Sequence, residues 1–120
     1  MSIFKRNLKK ISTDSEKFLK NFLKRQPINS KLITPMKYGL FSGGKNFRTS
    51  IVVNTGKIFK VNYKKLIIIG AAVECIHSYS LIHDDLPCMD DDEIRRGKMT
   101  THKKFGESTA ILTDGQCALF

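Results

Sequence analysis

Apolar and polar positions follow a helical period along most of the chain. Between residues 3 and 25, Phe4, Leu8, Ile11, Phe18 and Phe22, with neighbouring Leu19 and Leu23, recur at helical spacing with lysines and arginines between them. That is the pattern of an amphipathic helix. Thr13 followed by Glu16 has the form of a capping box, so a short lead and a second helix is the alternative to one rod. Pro27 marks a break over residues 26–30, and residues 31–41 read as a short helix ended by Gly43-Gly44. Residues 47–59 are predicted helical, with Ile51, Val52, Thr55 and Ile58 as the apolar face, and residues 61–63 turn the chain. Residues 64–83 make the central helix. The run 66–69 is apolar enough for a buried strand, but twenty residues without proline, with Ala71-Ala72, favour helix. Residues 100–106 are polar and read as loop, and residues 107–120 open another apolar helix. The last residues lie inside an apolar stretch with no stop signal, from which more chain is expected to follow. No internal repeat or low-complexity linker interrupts this order, so the predicted fold class is all-α.

Composition narrows this picture only a little. A chain of 120 residues with 41% apolar content can bury the core of one small domain, which argues against disorder. The formal charge of +10 permits an anionic partner, whether nucleic acid, membrane surface or diphosphate. Cys75, Cys88 and Cys117 are odd in number and show no CxxC spacing, which points to reduced thiols in a cytoplasmic protein. The longest apolar run, residues 66–73, falls short of the roughly 20 needed to span a bilayer, so no membrane span is expected. A basic amphipathic start also permits a membrane-surface or transit-peptide reading, against which Asp14 and Glu16 weigh.

Candidate chemistry is concentrated after the central helix. Six of the eleven acidic residues, Asp84, Asp85, Asp90, Asp91, Asp92 and Glu93, fall within ten positions. Packed together, each like-charge pair would cost roughly 1–4 kcal/mol. A cation relieves that repulsion, and Mg²⁺ typically takes one or two carboxylates, several waters and substrate phosphate oxygens. Arg95 and Arg96 follow directly, and guanidinium forks match phosphate, so the segment suits a metal-bridged polyphosphate better than a bare ion. The plain alternative is a solvated charged loop. An EF-hand is excluded by the missing alternate ligands, central glycine and terminal glutamate. Pro87 must end the helix. In an unbroken helix Asp84 and Asp90 would diverge by about 600° of rotation, whereas a broken turn can bring them towards one ion.

Two weaker signals lie upstream. Gly43-Gly44 followed by Lys45 and Arg48 could hold a phosphate at the start of the next helix, or be a helix C-cap with ordinary surface cations. On the central helix Gly70, Glu74, His77, Leu81 and Asp84 fall near one stripe, which puts His77 two turns below Asp84. Cys75, His77, His83, Cys88 and His102 match no common zinc spacing.

Taken together, the segment from Gly43 to Arg48, the run from Glu74 to Asp90 and Arg95-Arg96-Gly97-Lys98 resemble the trans-polyprenyl diphosphate synthase family, nearest its bacterial farnesyl-forming branch. The resemblance covers the chain from about residue 31 onward. It implies the N-terminal part of the isoprenoid synthase helical bundle, with residues 1–120 forming part of a single domain. It further implies that Asp84 and Asp90, with Asp85 close by, bind Mg²⁺ bridging an allylic diphosphate, and that Arg95 contacts that diphosphate. Lys45, Arg48, His77 and Arg96 would hold isopentenyl diphosphate. Tyr79, five residues before Asp84, resembles the bulky floor that stops growth at fifteen carbons, its plain alternative being a packing tyrosine. The implied activity is head-to-tail condensation of isopentenyl diphosphate with dimethylallyl or geranyl diphosphate to give farnesyl diphosphate, with geranylgeranyl diphosphate synthesis as the alternative and a homodimer as the assembly. This sequence departs from the family pattern at Asn46, Thr49 and Met99, and Asp114-Gly115 reverses the usual order. No second aspartate-rich motif occurs in it, so the 120-residue chain alone is expected to be inactive. A basic helical nucleic-acid-binding module is the reading from another class, but no helix-turn-helix signature or stacking aromatics support it. Terpene cyclases share an aspartate-rich motif but fit Arg95-Arg96-Gly97 and Lys45 less well.

Overall fold

The computed structural model describes residues 2–26, 30–41 and 46–118. Among the described residues, six helices and one short hairpin follow in order: α1 (Ile3–Arg25), α2 (Ser30–Leu40), α3 (Phe47–Ile58), α4 (Tyr63–Asp85), β1 (Ile94–Arg95), β2 (Lys98–Met99), α5 (Thr101–Phe105) and α6 (Glu107–Ala118). The all-α expectation holds. Two compact units divide the chain, residues 1–26 with 44–74, and residues 27–43 with 75–120; α4 runs from the first into the second.

The first unit is built from α1, α3 and the first half of α4. α1 is one rod, opened by Ser2, whose Oγ accepts from the Lys5 N–H. Thr13 does not cap a second helix; its hydroxyl donates to the Lys9 carbonyl one turn back, which leaves the helix intact. Ile11, Val53, Leu66 and Ile67 form the core cluster, flanked by Phe18 and Tyr63.

The buried face of α3 differs from the expected one. Ile51 and Ile58 are 52% and 76% exposed, while Thr49, Ser50 and Val53 are buried. Close approach of the helices explains the exchange: a Cβ on Gly70 would stand 3.2 Å from the Thr49 Cα and 2.5 Å from its Cγ2. Only small side chains fit that crossing, and Thr49 completes it by donating to the Gly70 carbonyl at 3.1 Å.

The second unit contains α2, the end of α4, the hairpin, α5 and α6. Its buried apolar residues include Met36, Ile82, Leu86 and Ala110, and it also buries Ser78, Asp85, Thr100, Thr101, His102, Thr113 and Asp114. Residues 101–105, expected as loop, form a short helix. Thr100 stands at its N-cap, its carbonyl accepting from Lys103 and Lys104, and Gly106 ends it at φ 93°. The hairpin was not expected either. Ile94 pairs with Met99 and Arg95 with Lys98 across a two-residue turn in which Arg96 (φ 53°) and Gly97 (φ 75°) are both left-handed, as a type I′ turn requires.

By length and composition α4 is long and apolar enough to cross a membrane, with a mean hydropathy of 1.5, contrary to the expectation from its shorter apolar run. Leu66, Ile67, Ala71, Cys75 and Ile82 along it are buried in protein, while Ile68, Ile69 and Ile76 are exposed.

Candidate active site

The aspartate-rich segment is shaped by the end of α4. Pro87 has no N–H for the His83 carbonyl, which accepts from Leu86 at 3.2 Å instead. The orphaned Asp84 carbonyl then takes the Asp90 N–H at 2.8 Å, and the Leu86 carbonyl takes the N–H groups of Met89 and Asp91 at 2.9 and 3.0 Å. Leu86 is buried and anchors this loop, and Asp91 closes it in a left-handed conformation, φ 51°. Asp84 and Asp90 are thus joined through their backbones, and both are exposed.

Asp85 faces the other way. It is 3% exposed and receives Arg95 in bidentate fashion, Nε to Oδ2 at 2.9 Å and Nη2 to Oδ1 at 2.7 Å. The hydrogen bonds to Asp85 raise the Arg95 pKa above its ordinary value against a smaller desolvation effect, with the charges of Asp85, Asp92 and Asp84 adding to the rise. Glu93 meets Lys103 at 3.0 Å. A cavity of about 30 Å³, the size of a bound water, adjoins the pair and is lined in part by Tyr38, Ser78, Thr100 and Thr101.

The hairpin that carries Arg95 is fixed at several points. The Tyr38 hydroxyl donates to the Met99 carbonyl, the Thr100 hydroxyl donates to the Asp92 carbonyl at 2.8 Å, and the Thr100 N–H donates to the Glu93 carbonyl at 2.9 Å.

Among the described residues, no three His, Cys, Asp or Glu side chains gather as a metal-holding group. Asp84 and Asp90 nevertheless suit Mg²⁺, which needs only one or two carboxylates and keeps its waters. Exposed carboxylates on a backbone-closed turn meet that demand, and a buried carboxylate occupied by a guanidinium does not.

Arg48 lies exposed on the first turn of α3 in the first unit. Asn46, before it, is left-handed at φ 48° and its side-chain amide donates to the Ser12 Oγ at 2.8 Å. Lys45, with Gly43-Gly44, lies outside the described residues. His77 is half-buried on α4, and Arg96 sits in the exposed hairpin turn. Tyr79 is half-buried, its ring 5.8 Å from that of His83, and it does not line the small cavity. His83 Nδ1 in turn stands 3.0 Å from Asp114 Oδ2. Two contacts escaped the sequence reading. Asp85 and Arg95 are ten residues apart across a proline and a turn, outside any helical spacing, and Asp114 meets His83 only through packing of α6. The Arg96-Gly97 pair was the one local signal for the hairpin.

A family model described as polyprenyl synthetase matches residues 29–119. The chain belongs to this family. It is 58% identical over 83 residues to the farnesyl diphosphate synthase of Buchnera aphidicola from Acyrthosiphon pisum, which covers 69% of this chain and 29% of that protein. It is 46% identical over 110 residues to the farnesyl diphosphate synthase of Escherichia coli, covering 91% of this chain and 37% of that protein. Among solved structures, the geranyltransferase from Legionella pneumophila superposes with a TM-score of 0.92 at 41% identity, covering 96% of this chain and 41% of that one. The chain spans about a third of the length of the curated relatives it matches.

Proposed function

We propose that the protein carrying this chain condenses isopentenyl diphosphate with dimethylallyl or geranyl diphosphate, giving farnesyl diphosphate. The observation that carries this reading is the closed turn of Asp84 and Asp90 beside an arginine held in place, a constellation suited to a metal-bridged diphosphate. Similarity to farnesyl diphosphate synthases supports the product class. On this reading residues 1–120 are the N-terminal portion of a single polyprenyl synthase domain, in a cytoplasmic homodimer that binds no nucleic acid.

Asp84 and Asp90 would hold Mg²⁺, which when bound neutralises charge developing on a leaving diphosphate. Arg95 binds the allylic diphosphate. As the allylic C–O bond breaks, the electron pair leaves with the diphosphate oxygen, and a fixed guanidinium stabilises that charge as it forms. The double bond of isopentenyl diphosphate then forms the new C–C bond, and loss of a proton restores an alkene. Lys45, Arg48, His77 and Arg96 hold the diphosphate of the second substrate, and Tyr79 limits product length.

The test is an assay of the complete gene product with Mg²⁺, isopentenyl diphosphate and dimethylallyl or geranyl diphosphate. Farnesyl diphosphate as the end product, lengthened in Tyr79→Ala, is expected. A geranylgeranyl product from the unaltered protein would remove the Tyr79 floor and leave the chemistry. No condensation by a folded protein would sink the synthase reading, and Mg²⁺-independent nucleic-acid binding that weakens with salt would replace it.

A further inference from the structure

We propose that Asp85 is not a third metal ligand but the positioning residue of Arg95, holding one edge of its guanidinium so that the opposite edge is presented to the allylic diphosphate. This inference rests on the diphosphate reading above and assigns a role within the same site.

Three observations carry it. The first is occupancy. Both oxygens of Asp85 accept from Arg95, at 2.9 and 2.7 Å, and a parallel two-bond fork is the strongest and most directional pairing a carboxylate makes. The second is burial. The Asp85 side chain is 5% exposed, whereas Asp84 and Asp90 face solvent, where a cation that keeps its waters would bind. Adjacent residues at a helix end point about 100° apart, so the divergence of Asp84 and Asp85 follows from helical geometry. The third is the fixed backbone under the arginine. Arg95 pairs with Lys98 in the hairpin, and the hairpin is tied through Met99 to Tyr38 and through Thr100 to Asp92.

A guanidinium carries five N–H donors, about two of which serve Asp85, leaving the Nη1 pair and one on Nη2. The Arg95 side chain is 34% exposed, so an anion can reach that free edge without displacing Asp85. Separating the pair would leave an uncompensated buried carboxylate, which is strongly disfavoured. The fork therefore persists when diphosphate binds, and its energy goes into orientation instead of being exchanged for the ligand.

The experiment compares Asp85→Asn, Asp85→Glu, Arg95→Gln and the double variant Asp85→Asn/Arg95→Gln in the complete gene product, with Asp84→Asn as the metal-ligand reference. Three quantities are read: KM for the allylic diphosphate, the Mg²⁺ concentration giving half-maximal rate, and calorimetric affinity for inorganic diphosphate at saturating Mg²⁺. Asp85→Asn is expected to raise KM and weaken inorganic diphosphate binding about tenfold each, with half-saturating Mg²⁺ within about twofold of the unaltered protein. The double variant is expected to fall no further than Arg95→Gln alone, because the two residues act as one unit. Asp84→Asn should shift the Mg²⁺ requirement about tenfold instead. If Asp85→Asn does not fold, Asp85→Glu keeps the charge but displaces the fork, and should raise KM at unchanged Mg²⁺ demand. A shift in Mg²⁺ requirement at Asp85 matching that at Asp84, or effects of the two substitutions that multiply, would overturn the assignment. Absence of condensation in the unaltered protein would instead defeat the synthase reading, and the diphosphate affinities would still decide the role of Asp85.

Discussion

The two units bury different kinds of residue. In the first, the interior is aliphatic, and its buried polar groups, Ser15, Thr49 and Ser50, are small hydroxyls on helices. In the second, two carboxylates and an imidazole, Asp85, Asp114 and His102, are buried together with Ser78 and three threonines. Burying such groups is unfavourable unless each finds a partner. Asp85 has Arg95, Asp114 has His83, and Thr100 bonds the Asp92 carbonyl; His102 meets Thr100 through Nδ1 at 3.3 Å, while its buried Nε2 has no hydrogen-bond partner among the described residues. The first unit thus gains stability from packing, and the second converts burial into fixed orientation for groups beside the aspartate-rich turn.

Substitution should separate the two. The largest effect is expected from Asp84→Ala in the second unit. It is exposed, so thermal stability should stay within about 0.5 kcal/mol, while kcat falls about 10²- to 10³-fold, the loss typical of removing one preorganised electrostatic group. Leu66→Ala in the first unit, 4% exposed in the native core, should do the reverse. It should lower stability by about 2–5 kcal/mol and leave KM and half-saturating Mg²⁺ of the folded fraction unchanged. Denaturant titration beside steady-state kinetics reads both. A core variant that changed the Mg²⁺ requirement would break the distinction.

The same division governs what the sequence made legible. Helical periodicity located α1, which has a clear apolar stripe; α4 was legible as helix from its length without proline and from Ala71-Ala72, and Pro87 foretold the turn between Asp84 and Asp90. The face of α3 was misjudged because hydrophobicity pointed to Ile51 and Ile58, while close approach at Gly70 selected Thr49 and Val53. The hairpin and the Asp85–Arg95 fork depend on backbone conformation at Asp91, Arg96 and Gly97, which leaves no periodic trace. Asp85 accordingly reads like Asp84 in the sequence and differs from it in burial and partner.

A smaller effect tests a polar contact of the first unit. Tyr63 donates to Asp14 Oδ2, and burial, then this hydrogen bond and the Asp14 charge, push its phenol well above the usual tyrosine range. A pKa raised on folding stabilises the protein fully below the unfolded value near 10, and that contribution is lost as pH rises above it. Tyr63→Phe should therefore cost about 1 kcal/mol near pH 8 and flatten the fall in stability above about pH 10. Urea titrations between about pH 8 and pH 11 would show it. An equally steep alkaline fall in Tyr63→Phe would assign that limb to other groups.

The smallest effect gives the sharpest comparison, because both units place a long basic side chain in the left-handed region. Lys60 has φ 57° and Arg96 φ 53°. Lys60 follows α3, with Val61 N–H donating to the Gly56 carbonyl and Lys60 N–H to the Lys57 carbonyl, the double closure of a Schellman cap, where glycine is the usual choice. Arg96 occupies the first central position of the I′ turn, where asparagine or glycine is usual. In each case the Cβ is strained by about 1 kcal/mol, partly offset by the lower chain entropy of a non-glycine residue when unfolded. Lys60→Gly and Arg96→Gly are both expected to raise stability by up to about 1 kcal/mol. Their functional consequences should diverge: Lys60→Gly should leave KM for isopentenyl diphosphate unchanged, whereas Arg96→Gly should raise it about tenfold. That outcome would mean the strain at Arg96 is retained for binding, in the manner of strained functional turns. If both variants gained stability with KM intact, the left-handed arginine would be no more than a poor turn residue, and its place among the diphosphate ligands would be lost.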